Sequence, residues 1–508
     1  MTVPESTSAA RVDPHPPTSA LATATAADLA ADLAAGRATS VALVTALLER
    51  IRVVDGPGDV HLAAVIATAP DAIAEAERLD AERAAGTVRG PLHGVPVLVK
   101  DNIEALGLPG TAGSLALAGR TVVRDAPLVA ALRAAGLVVL GATNLSEWAN
   151  LRSPTSTSGW SAVGGLTGNP WALDRSAGGS SSGSGAAVAA GLAPFAIGTE
   201  TDGSIVCPSS FNGCVGLKPT VGLVPTEGVV PLSASQDSPG PMARSVADVA
   251  LLLDALTGSS TYAAAPGTLA VDDVQLGVAG AWLTGHDATD LHFTETLQQL
   301  EESGVLLTPL DVPPAEADVE LAELHVLLCE TRDGLDTYLS ARAGEGVRSL
   351  DDVVAFDVEH ADVELAHFGQ EFFERALDTD GTADPEYAAS RAACLAWAVE
   401  RALVPALSAP DGPSVLVAPA YPPAWKTDLT LSDHVVGGSA AITAAAMAGW
   451  PVLCLPMGFV AGLPVGLLLV AAAGGEARLL AVGHAVEEAL GLRASGSLVP
   501  AYRPAGRG

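Results

Sequence analysis

The chain predicts an α/β fold, a central mixed β-sheet flanked by helices with a helical segment inserted between its strands. Three observations carry this expectation. Short apolar runs of strand length recur towards both ends of the chain, at residues 94–99, 137–141 and 195–198 and again at 414–418 and beyond Trp450. Helical patterns separate them, which is the order that builds a sheet covered by helices. Residues from about 316 to 405 are instead acidic and helical throughout, and read as a cap beside the site.

Taken in order, Thr25 is an N-cap residue with Asp28 in the first turn of a helix reaching about Ala35. Thr39 opens a second helix over 41–51, whose Leu43, Ala46, Leu47 and Ile51 share one face. The apolar strand at 94–99 ends directly on Lys100. A helix at 125–135, stopped by Gly136, leads into a strand at 137–141 and completes one βα repeat. A Gly/Ser loop (178–185) then enters a short helix of small residues (186–190), followed by the 195–198 strand and the turn Thr201-Asp202-Gly203-Ser204. Residues 217–245 are rich in turn formers and read as loop, before a helix at 246–255. Residues 451–456 and 465–470 read as buried strands. The uncharged stretch 437–475 is not a membrane span. Pro451, Pro456 and Pro464 divide it into pieces shorter than the ~20 residues a spanning helix needs.

With 508 residues, 49% of them hydrophobic, the chain can bury a large core. No repeat or interior linker divides it, so residues 24–503 read as one domain. Residues 1–23 read as a disordered arm, polar and rich in Pro, Ser and Thr, without the basic and apolar regions of a signal peptide. The formal charge of −32 argues against nucleic acid and anionic membranes as partners. Five unpatterned cysteines argue against a disulfide framework, and no metal-ligand pattern appears among the ten histidines. The expectation is a cytoplasmic monomer or homodimer with no cofactor and no metal.

The chemistry concentrates between Ser176 and Thr220. A loop entering a helix N-terminus offers oriented N–H donors, which suit a developing oxyanion. A phosphate loop is excluded, because no G-K-[ST] follows the glycines. Residues 179–183 match the G-x-S-x-G nucleophile elbow, but 169–177 is polar and irregular where such an elbow needs an apolar strand. A serine hydroxyl is a weak nucleophile until a base takes its proton. A lysine can be that base if burial lowers its pKa from ~10.4. Lys100, one of three lysines, follows an apolar strand and fits; pairing with Asp101 or Glu104 at a surface is its other reading. His93 reads as a structural hydrogen-bonder rather than a base.

The block 178–220, with Gly94-Val95-Pro96-Val97-Leu98-Val99-Lys100-Asp101-Asn102 and Gly141-Ala142-Thr143-Asn144 upstream, closely resembles the signature of the amidase signature family of serine hydrolases. The resemblance implies that family's twisted mixed sheet and its Ser-Ser-Lys triad. Residue by residue, the lysine falls on Lys100, the bridging cis-serine on Ser180 and the nucleophile on Ser204. The N–H groups of Thr201, Asp202, Gly203 and Ser204 become the oxyanion hole, with Ser181 and Thr199 in support. Many members read T-D-T-G-G-S-I-R-x-P where this chain reads T-E-T-D-G-S-I-V-C-P. That variant, with residues 235–246, Ala355-Phe356-Asp357 and Phe368-Gly369-Gln370-Glu371, resembles the peptide amidase branch. The branch implies removal of the C-terminal amide from peptide amides. Other small amides (aryl amide, carbamate or lactam), or a role as the amidase component of a tRNA-dependent amidotransferase, are the alternatives.

Overall fold

A computed structural model describes residues 23–504 apart from Asp59, Thr121, Ala315 and residues 409–411, so the expected arm lies outside the described residues save for Thr23. Eleven strands form one sheet: β1 (Val65–Thr68), β2 (Pro96–Lys100), β3 (Val138–Thr143), β4 (Phe195–Glu200), β5 (Val215–Lys218), β6 (Ser238–Ala243), β7 (Gln275–Ala279), β8 (Leu306–Leu310), β9 (Val415–Pro419), β10 (Val452–Val460) and β11 (Leu463–Ala471). Their order is β1-β3-β2-β4-β6-β5-β10-β11-β9-β7-β8. β3, β2 and β4 run parallel, as do β9, β7 and β8, while the strands between them pair antiparallel. The sheet is mixed, as expected.

The apolar runs form strands because both faces of the sheet are buried. Leu467 and Leu469 of β11 enter one hydrophobic core, and Leu468 and Val470 enter another on the opposite face. β10 divides likewise, with Leu453 and Leu455 on one side and Val452 and Cys454 on the other. A strand covered twice has no polar face to show, which explains the charge-free stretch without a membrane. Among the described residues no helix is long and apolar enough to cross one.

The first two helices form at Ala26–Ala34, where Thr25 and Asp28 make a reciprocal capping box, and at Ser40–Arg50, capped by Thr39. Three expectations need correction. The small-residue helix spans Ser182–Ala189, four residues earlier than its propensities suggest. Gly183 allows this by close approach: a Cβ there would lie 2.3 Å from the Ala64 carbonyl oxygen. The 217–245 segment is not all loop, since β6 pairs along β4 from Ser238 to Ala243. Its Pro239 and Pro241 fall outside the short ladder to β5, which takes only Met242 and Ala243, so they interrupt no bond there. Finally, 169–177 is not irregular: Ala172–Ser176 pairs with Gly168–Asn169 in a separate two-stranded ribbon.

Between β8 and β9 the described chain holds only helices, the longest at Ala317–Ala341. That helix is tied to the loop before β6. Its Thr331 hydroxyl donates to the Leu232 carbonyl at 2.8 Å, and its Glu330 carboxylate accepts from the Ser233 hydroxyl and, at 3.0 Å, the Ser235 N–H. The long helix is thereby fixed to the segment that leads into β6, and its Leu327 lines the same cavity as Thr201 and Ser204.

Gly183→Ala should lower stability by about 1–3 kcal/mol, the usual range for overpacking, because the carbonyl it meets is backbone and cannot swing away. An unchanged melting temperature would show that the helix can retreat from β3 and that the contact is not tight.

Candidate active site

Lys100 is the last residue of β2 and is completely buried. Its Nζ lies in hydrogen-bond reach of the Ser180 hydroxyl at 2.7 Å, the Thr199 hydroxyl at 2.9 Å, the Ser181 hydroxyl at 3.0 Å and the Thr199 carbonyl at 3.2 Å. Thr199 reaches it because β4 lies parallel to β2, with Val99 opposite Ile197. Neither carboxylate of the surface reading takes part. Asp101 accepts the Gly110 and Thr111 N–H groups at 3.0 and 2.9 Å, and Glu104 accepts the Tyr338 hydroxyl at 3.1 Å. His93 is also accounted for structurally, with Nε2 2.9 Å from the Leu79 carbonyl oxygen and Nδ1 accepting the Arg89 N–H at 3.3 Å.

Burial pushes the Lys100 pKa down from 10.5 to about 7, against the pull of the Asp237 and Glu200 carboxylates. Neither of these makes a direct ion pair with it. Asp237 is occupied by the Thr201 hydroxyl at 2.6 Å and the N–H groups of Leu232 and Ser233 at 2.8 and 3.0 Å. Glu200 accepts the N–H groups of Ile205 and Val206 at 2.6 and 2.9 Å, fixing the entry to the Val206–Asn212 helix directly after Ser204. A second buried lysine, Lys218, lies behind this loop. Burial lowers it to about 8, while Glu200 and Asp202 pull the other way.

The peptide between Gly179 and Ser180 is cis. The Ser180 carbonyl accepts the Ser146 N–H at 3.0 Å, and the Ser181 N–H donates to the Ser204 carbonyl at 3.1 Å. The Gly/Ser loop and the Thr201–Ser204 turn are therefore joined by a backbone hydrogen bond. Gly203 has φ +81°, and a Cβ there would meet the Tyr421 hydroxyl oxygen at 2.5 Å, so only glycine fits the turn. Among the described residues no group hydrogen-bonds to the Ser204 hydroxyl. It opens on a cavity of about 290 Å³ whose lining includes Gly179, Thr201, Asp202, Tyr421, Trp425 and Asp433. Asp202 faces this cavity with its carboxyl raised by burial to about 7, and accepts the Thr443 hydroxyl at 2.9 Å.

Lys100, Ser180, Ser181 and Thr199 thus meet in one hydrogen-bonded cluster, whereas Ser204 joins it through its carbonyl and not its hydroxyl, and the Gly203 N–H is turned to the Glu200 carboxylate. Sequence reasoning missed two residues around them, one that holds Thr199 and one in the cavity wall. Asn102 Nδ2 donates to the Thr199 hydroxyl at 3.0 Å, and Asp433 accepts the Ser158 hydroxyl at 2.6 Å and the Trp425 indole N–H at 3.1 Å. Asn102 and Asp237 both sit inside blocks that carried the resemblance, which was the available signal. Asp433 lies in a segment with no motif at all.

The depressed lysine has a thermodynamic consequence. The unfolded chain holds the Lys100 proton up to about pH 10.5 and the folded one releases it near 7. Burial therefore penalises the fold below pH 7, and the penalty is relieved as pH rises through that window. The melting temperature of the wild type should gain on that of Lys100→Met between pH 7 and about pH 9.5. A constant difference would mean that the buried lysine keeps its proton throughout.

Comparison with known proteins agrees with this arrangement. The Amidase family model matches residues 42–480. The crystal structure of native peptide amidase from Stenotrophomonas maltophilia superposes with a TM-score of 0.84 at 43% identity, covering 91% of this chain and 96% of that one. A probable amidase of Arabidopsis thaliana is 39% identical over 72% of this chain and 73% of its own length. A glutamyl-tRNA(Gln) amidotransferase component of Symbiobacterium thermophilum is 35% identical over 89% and 93% respectively. With its mixed sheet, its Gly/Ser loop and its buried lysine, the chain belongs to the amidase signature family.

Proposed function

We propose that this amidase hydrolyses the C-terminal amide of peptide amides, with Ser204 as nucleophile, Ser180 as proton bridge and Lys100 as base. The observation that carries the reading is Lys100 itself, buried, 2.7 Å from Ser180 and with its pKa at about 7. A lysine in that state is neutral in a large fraction of molecules near neutral pH, which a solvated lysine is not. Neutral Lys100 takes the Ser180 proton as Ser180 takes that of Ser204, and Ser204 Oγ bonds to the carbonyl carbon. The resulting oxyanion is received by N–H groups of the Thr201–Ser204 turn. The proton returns along the same chain to the nitrogen, ammonia departs, and water releases the acyl group from Ser204 by the reverse route. Ser181 and Thr199 hold the lysine in line.

The substrate class rests on the likeness to the peptide amidase and on the cavity. Its 290 Å³ suits a carboxamide and the residues next to it rather than a folded chain. Five cysteines, all buried and none in a disulfide, suit a reducing, cytoplasmic setting.

Ser204→Ala should abolish turnover and labelling by a fluorophosphonate. Labelling that persists in the variant would move the nucleophile elsewhere, Ser181 being next in reach of Lys100. The wild-type kcat/KM should rise with pH through about 7, as Lys100 loses its proton, and then level. Lys100→Arg cannot supply a neutral base and should lose on the order of 10²–10⁴-fold while staying folded. A folded variant keeping more than about a tenth of the wild-type value would remove Lys100 as the base. On a panel of amides, peptide amides should release ammonia with internal bonds intact. Turnover of free glutamine in preference to them would point to the amidotransferase reading instead.

A further inference from the structure

A second set of chemically capable side chains meets away from Ser204. His325 and Cys329 stand four residues apart on the Ala317–Ala341 helix, which places them on one face, a turn apart. Opposite them the chain turns through Gly381–Ala383 and presents Asp384. His325 Nε2 lies 3.2 Å from Asp384 Oδ1 and 3.6 Å from Cys329 Sγ. The three atoms all lie within 4.8 Å of one another.

The two separations from His325 match edges of a metal tetrahedron, and the third, between sulfur and carboxylate, lies within 4.8 Å. With zinc bonds of ~2.0–2.1 Å to nitrogen and oxygen and ~2.3 Å to sulfur, tetrahedral angles put N and O about 3.3 Å apart and N and S about 3.6 Å apart. A His–Asp ion pair accounts for the first distance alone. It does not require a buried thiol at the third corner. Cys329 is completely buried, with the Thr379 side chain and the carboxylates of Asp384, Asp333 and Glu330 around it. Asp384 Oδ1 is oriented by the Glu386 N–H at 2.9 Å, the kind of outer contact that fixes a ligating carboxylate.

We propose that His325, Cys329 and Asp384 bind a borderline-soft divalent cation, zinc above all, with water in the fourth position. One thiolate, one imidazole and one carboxylate are ligands that zinc accepts and that calcium or magnesium does not favour. The ligands come from both sides of the contact between the long helix and the 381–384 turn. Thr382, Asp333 and Tyr387 from the same neighbourhood line a cavity of about 860 Å³ between this helix and the 226–234 loop. The ion ties the turn to the helix and stiffens that wall of the cavity. It takes no part in the chemistry at Ser204.

The test uses the full chain, stripped with a chelator and titrated with Co²⁺. One equivalent should bind with a thiolate-to-cobalt charge-transfer band in the near ultraviolet. Zn²⁺ should displace it and raise the melting temperature, as any ligand of the folded state does. The band should vanish in Cys329→Ser, in which the other four cysteines remain. His325→Gln and Asp384→Asn should each weaken Co²⁺ binding by about tenfold or more, at least the effect of losing an outer contact. Absence of the band in the wild-type chain would overturn the site whatever the variants do. A band unchanged in Cys329→Ser or in His325→Gln would overturn it as well.

Discussion

An ammonium group with no access to water is the constraint on which the active site depends. Keeping Lys100 protonated at the end of β2 would require a paired carboxylate, and none touches it. The surroundings supply only neutral partners, three hydroxyls and a carbonyl. The carboxylates that act on it, Asp237 and Glu200, accept backbone N–H groups and the Thr201 hydroxyl, so they fix loops and act on the lysine only at a distance. With its pKa lowered to about 7, Lys100 exchanges its proton near neutral pH, which is the property the proposed role of base needs.

The fold serves that pocket in layers. β2 and β3 end side by side at Lys100 and Thr143, and the parallel β4 runs on past them to bring Thr199 to the lysine. The Ser182–Ala189 helix can press against β3 only through glycine, and its N-terminal serines are carried in with it. The helical segment then covers the opening through Glu330 and Thr331, whose bonds run to the loop before β6.

Much of this was legible in the sequence, for physical reasons that differ by element. Strands buried on both faces announce themselves as apolar runs, so β2, β3, β10 and β11 could be read directly. Thr25 and Thr39 mark helix starts because their side chains satisfy N–H groups that nothing else satisfies. The proposed triad came from resemblance to a family and not from spacing, since Lys100 and Ser180 are far apart in sequence. The early start of the Gly/Ser helix was hidden because tertiary contact overrode propensity at Gly183. β6 was hidden because Pro-Gly-Pro reads as a turn until a neighbouring ladder is known to be short. Asp433 was hidden altogether: its value lies in what folds next to it, and no local pattern encodes that.

The sheet order has a bearing on how the chain is made. β5 closes its ladder against β10, with Lys218 opposite Val452. Everything that builds the lysine pocket, β2 through β6, precedes that partner by the whole helical segment. A chain emerging from the N-terminus therefore holds every residue that touches Lys100 while the β10 side of β5 is still bare, its N–H and C=O groups facing outward. The pocket is assembled beside an open seam that only the last two strands of the protein can close.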